Sequence, residues 1–179
     1  MNVWRELSYS YSRTNALDGG IAMPEIRGEG PQKDIDEIVR LHNLWVKANR
    51  TGSIPMMRDA FVGGDKFFGW NLNGFAYDGI EEWATLWEFL ATVKAKATLG
   101  EDEDLRVRVR GDMGYLSCSA DFTIFLSDGK PLPGSGKFRS TEVYVREDDK
   151  GKPVWKMWHC HFSWYSTGPR MAFENEQKA

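Results

Sequence analysis

Three observations predict an α+β fold, with N-terminal helices packed on one face of a mostly antiparallel sheet. Stretches with helical apolar spacing fill the first half of the chain. From about residue 97 the apolar period drops from about 3.6 residues to about 2. Turn clusters, "GDMG", "DGKPLPGSG" and "DDKGKP", then divide the second half into four alternating runs. Helices followed by a meander, rather than alternating with strands, point to α+β.

The elements follow in order. Residues 1–32 are rich in Gly, Ser, Tyr and Pro without sustained periodicity and are expected to form an N-terminal arm. "DIDEIVRLHNLWVKAN" (34–49) predicts a helix that Asp34 caps, with Glu37 three residues on. Its apolar stripe is Ile35, Ile38, Val39, Trp45 and Val46, and His42 falls within it. "TGSIPMMRDAFV" predicts a short second helix capped by Ser53. "DKFFGWNLNGFAYDG" reads as a strand or hairpin with turns at Asn73-Gly74 and Asp78-Gly79. Residues 80–96 give a third helix, on which Trp83 and Trp87 lie one turn apart. "DLRVRVRG", "YLSCSADFTIFLS", "KFRSTEVYVRE" and "VWKMWHCHFSWYS" are the four strands, and 169–179 is a polar tail.

A chain of 179 residues suits one domain, expected over 33–168. Its net charge of −3 offers no footprint for nucleic acid or an anionic membrane. The basic run "LRVRVR" alternates with Leu and Val, as on the solvent face of a strand. No secretory leader is expected from "MNVWRELSYSYS", and no apolar run reaches the roughly 20 residues that span a bilayer. Two cysteines make no disulfide framework, so a cytoplasmic chain with reduced thiols is expected. Eight Trp, six Tyr and ten Phe supply either a plain core or an aromatic-lined cavity.

The densest chemistry is in "VWKMWHCHFSWYS" (154–166). Strict alternation puts His159 and His161 on one face, about 7 Å apart, with Trp155, Met157 and Ser163. Lys156, Trp158, Cys160 and Phe162 then share the other face. Three readings of the histidine pair stay open. It supplies two metal ligands, with a third from His42, Asp121 or Glu142; it is an acid–base pair; or it is a hydrogen-bonded part of the scaffold.

The last strand also carries a family resemblance. Trp155, His159, His161 and Ser163 match W-x-x-x-H-x-H-x-S, the closing strand of SnoaL-like members of the NTF2-like superfamily. Thr141, Val143 and Tyr144 in the preceding strand, and the turn "YDGIEEW", resemble theirs as well. The resemblance covers about residues 33–166. It implies a cone in which a curved sheet wraps around a long helix and leaves a deep cavity. That branch includes the association domain of the calcium/calmodulin-dependent kinase, whose cavity arginines bind an anion. The corresponding positions here are Asp121, Glu142 and Phe162, none of them basic.

Family enzymes of this type are mostly cofactor-free lyases, dehydratases, isomerases and cyclases, which implies no cofactor and no metal here. By this resemblance the expected catalytic residues are His42 with Asp121 or Glu142, and Tyr77 as an orienting donor. The expected substrate-binding residues are Trp45, Phe61, Trp70, Asn71, Trp83, Trp87, Arg139, Trp158, Cys160 and Phe162. The implied partner is a small aromatic substrate, and a homodimer or homotrimer is expected. In aromatic inventory the chain is similar to the sphingomonad diarylpropane lyases of lignin breakdown, which remove a benzylic hydroxyl and release formaldehyde to leave a stilbene. A binding or assembly module, and a polyketide cyclase or ketosteroid-type isomerase, are the other classes the resemblance allows.

Overall fold

The long first helix and the strands behind it set every position that matters for the site. The structure, a computed structural model, describes residues 26–132 and 135–165; the polar tail and most of the N-terminal arm lie outside the described residues. Helix α1 spans Gln32–Thr51. It stops at Gly52, whose φ of 65° is the left-handed turn that glycine takes without steric cost. Ile35, Ile38, Leu41, His42, Trp45 and Val46 form its buried face.

Asp34 does not cap α1. The helix begins two residues earlier, after Pro31. Asp34 is instead buried in the first turn, accepting from Trp155 Nε1 at 3.1 Å and from Arg146 at 2.8 Å. Helix α2 (Ile54–Ala60) is capped as expected, Ser53 Oγ accepting from the Met56 N–H. Helix α3 spans Ile80–Thr92 and buries Ile80, Trp83, Ala84 and Trp87.

These three helices pack on an eight-stranded mixed sheet. The predicted hairpin is β2 (Phe68–Trp70) with β3 (Ala76–Asp78). The four predicted strands are β5 (Glu103–Arg110), β6 (Met113–Phe125), β7 (Gly136–Arg146) and β8 (Trp155–Trp164), antiparallel in that order. On β5, Leu105, Val107 and Val109 are buried while Arg106, Arg108 and Arg110 are exposed, as the alternation predicts.

Two strands add to this. Arg27–Glu29 (β1), read from sequence as part of the arm, pairs parallel with β5. Lys96–Leu99 (β4) pairs with β6 and is too short to show a period. The hairpin joins the sheet through a parallel β2–β8 pair, opposite Phe68, Gly69 and Trp70.

The face assignment on β8 needs correction. Val143 faces His159, but Tyr144 faces Met157, so Trp158 is an extra residue. This bulge resets the alternation. Trp155 and Met157 point inward with Cys160 and Phe162, while His161 is exposed and His159 half-buried. His159 donates from Nδ1 to the Phe68 carbonyl at 2.9 Å, and its ring stacks on Phe68.

The β2–β8 crossing is close-packed. A Cβ at Gly69 would meet Phe67 Cζ at 2.8 Å, Trp83 Cζ3 at 3.0 Å and Cys160 Sγ at 3.1 Å. All three groups are buried and have little room to yield. Gly69→Ala is therefore expected to lower stability by about 1–3 kcal/mol in urea unfolding. A variant with the parent's midpoint would show that this crossing is loosely packed.

Candidate functional site

His42 organises the buried polar groups of this chain. It is fully buried on α1. Its Nδ1 lies 2.9 and 3.0 Å from the two carboxylate oxygens of Glu142 on β7. Its Nε2 lies 3.0 Å from Asp102 Oδ2, in the β4–β5 connection. Glu142, also fully buried, accepts from Ser140 Oγ at 2.8 Å and Tyr144 OH at 2.7 Å. Residues 140, 142 and 144 share the inner face of β7 by plain alternation.

Both ring nitrogens of His42 meet carboxylates, so both act as donors, which is the protonated imidazolium. Burial by itself would discharge the ring. The Glu142 charge, the hydrogen bonds to Asp102 and Glu142, and the Asp102 charge outweigh burial and raise its pKa from 6.5 to about 10. Burial opposes the Asp102 charge, yet the bond and charge of His42 hold that carboxyl below its usual range. Burial, then Glu142, push the Tyr144 hydroxyl and the Cys160 thiol upward.

A cavity of about 350 Å³ opens beside this cluster, on the far side of Trp45. The Trp45 ring lies 5.9 Å from His42 and stacks on Phe162 at 5.1 Å, forming the floor. Helix α3 contributes Trp83, Leu86, Trp87 and Leu90 to the walls. The hairpin tip contributes Asn71 and Asn73, and the sheet contributes Phe122 and Trp164. No Asp, Glu, Lys, Arg or His lines it among the described residues.

Of the residues named from sequence, Trp45, Asn71, Trp83, Trp87 and Phe162 line this cavity. His42 and Glu142 meet each other beneath the floor rather than in the lining. Tyr77 is one step away, accepting from the Asn73 amide at 2.7 Å and packing on Trp83. Cys160 is buried opposite Glu142 in the β7–β8 register.

The others lie elsewhere. Asp121 is exposed because the inner face of β6 carries the even-numbered residues around it. Arg139 is exposed for the same reason on β7, donating to the Trp164 carbonyl. Trp70 is exposed against His159 and His161 on the outer face. Phe61 is core, edge-on to Phe67. Trp158 sits on the bulge and donates to the Glu147 carbonyl.

Sequence reasoning missed Asp102, in the acidic turn "GEDEDL", where no period marks one residue from the next. It also missed Asn49, which lines the cavity. The signal was present, since residues 42, 45 and 49 recur at helical spacing.

His42 Nε2, Asp102 oxygen and Cys118 sulfur lie within 4.8 Å of one another, a donor set a small divalent cation can use. Ligation requires a bare Nε2, so a metal here would have to displace any proton held between that nitrogen and Asp102. The His159–His161 pair gathers no third ligand among the described residues.

The fold is shared with the NTF2-like superfamily. An NTF2-like superfamily protein from Salmonella enterica superposes with a TM-score of 0.65 at 18% identity, over 79% of this chain and 99% of that one. A proposed dehydratase of the NTF2-like family from Streptomyces avermitilis gives 0.61 at 15% identity, over 80% and 100%. A proposed calcium/calmodulin-dependent protein kinase II association domain from Xanthomonas campestris gives 0.56 at 18% identity, over 90% and 100%. Within this class, residues 38–167 match the SnoaL-like domain, and the chain belongs to that family. No curated relative matches it in sequence. No helix among the described residues is long and apolar enough to cross a membrane.

The raised pKa has a consequence for stability. The imidazolium contributes fully below the unfolded value of 6.5, and its contribution is lost as pH rises to about 10. Urea stability should therefore decline across that window. Glu142→Gln should cost about 3–5 kcal/mol near neutral pH and flatten the decline. An unchanged slope in that variant would rule out Glu142 as the partner of the charge.

Proposed function

We propose that this chain is a cofactor-independent lyase or dehydratase acting on a neutral phenolic substrate. The observation that carries the reading is a buried histidine, held between two carboxylates and beside Trp45, which lines an aromatic cavity with no charged side chain among the described residues. Such a cavity suits a neutral aromatic molecule, and its volume lies in the range of about 300–1,000 Å³ typical of small-molecule sites. The homo-oligomer expected from sequence stays part of the reading.

Roles follow from the hydrogen bonds. Glu142 already accepts from His42, Ser140 and Tyr144, so it positions the ring rather than taking a substrate proton. His42 is the general acid and Asp102 the base that resets it. For a diarylpropane diol, the His42 proton goes to the benzylic hydroxyl, which leaves as water. The phenolic proton goes to Asp102 and from there to His42, giving a quinone methide. The terminal hydroxyl then passes its proton through solvent to the ring oxygen, and the adjoining C–C bond breaks to release formaldehyde. Its electron pair restores the ring, leaving a stilbene.

The position of Trp45 between His42 and the cavity favours a second reading, a ligand-binding module in which His42 is scaffold. Incubation with a phenolic diarylpropane diol separates the two. The lyase reading expects equimolar formaldehyde and stilbene, and a loss of at least about 100-fold in His42→Ala. Ligand binding with neither product would establish the module instead.

A further inference from the structure

Two buried donors in the cavity wall have nothing to donate to. The indole Nε1–H groups of Trp45 and Trp83 are shut off from bulk water, and no described protein group accepts from either. The residues are 4% and 2% exposed. An unmet buried N–H is rare enough in folded proteins to require an explanation. Both indoles line the cavity, and both flank one ring, with centroids 5.1 Å and 6.3 Å from that of Phe162.

The nearby amides are engaged by comparison. Asn49 donates to the Trp45 carbonyl at 3.2 Å. Asn73 donates to Tyr77 OH and accepts from the Phe75 N–H. Asn71 accepts from the Leu72 N–H. Asn71 keeps its own amide N–H groups, but the fully buried donors of this wall left unmet among the described residues are the two indoles.

We infer that Trp45 and Trp83 form a hydrogen-bond-donor subsite at the cavity floor, which takes the acceptor oxygens of a neutral aromatic ligand. The chemistry selects ether, carbonyl or phenolic oxygens. It rejects cations, because ligand N–H groups would oppose indole N–H groups. Since neither nitrogen has open surface, a ligand oxygen reaches them only as the two indole rings shift. The subsite rests on reading the cavity as the substrate site, but its test reads binding alone.

The probes are veratrole, with two ether oxygens and no donor, and toluene, of similar ring shape without oxygen. Indole N–H resonances of the full chain are followed by proton–nitrogen NMR and assigned with Trp45→Phe and Trp83→Phe. Veratrole should move both resonances downfield, and toluene should not. Each variant, which keeps an aromatic ring, should weaken veratrole about threefold to tenfold more than it weakens toluene. Equal responses to the two probes, or unmoved Trp45 and Trp83 resonances at veratrole saturation, would overturn the subsite. Should a variant fail to fold, the veratrole–toluene comparison on the unmodified chain still decides. Binding at the indoles without turnover would uphold the subsite and count against the lyase reading alone.

Discussion

The structure depends on a charge that has no access to water. His42 sits inside the cone and stays protonated only because Glu142 and Asp102 face its two nitrogens. A lone buried ion of this size would cost several kcal/mol, so the arrangement holds only while each partner is present. The partners come from distant parts of the chain, α1, the β4–β5 connection and β7. Ser140 and Tyr144 then fix Glu142 from the same strand. The polar cluster thus ties the central helix to the sheet at one point, while apolar packing closes around it.

That constraint also shapes the cavity. Trp45 lies one turn along α1 from His42 and spans to Phe162 on β8. Trp45 thus touches both the His42 cluster and a cavity lined by no charged side chain among the described residues. Apolar surroundings strengthen the electrostatics below the stack, and aromatic faces above it favour a flat neutral ligand. The two unmet indole donors lie in the cavity wall, where a ligand oxygen has most to gain. On the proposed lyase reading, binding and acid–base chemistry meet at this aromatic layer.

Much of this was legible in the sequence. The change of period located the helices and the four long strands, and His42 stood out as a polar residue in an apolar stripe. The closing strand identified the family, and its histidines lie on the outer side, His159 bonded to the Phe68 backbone and His161 exposed. Other features depended on tertiary context. The bulge at Trp158 has no signature in "KMWHCH", yet it reverses the facing of Trp155 and Met157. Asp102 is one acid among several in an irregular turn, and only the fold brings it to His42. Asp121 was drawn in by alignment with cavity positions, but the alternation of β6 turns it outward.

Nitrogen NMR decides whether His42 is an imidazolium at neutral pH. The chain has three histidines, so each can be followed through a pH titration. Both His42 ring nitrogens should carry protons at pH 8, and the ring should titrate only near pH 10. A His42 ring that loses its proton near its ordinary value of 6.5 would contradict that charge.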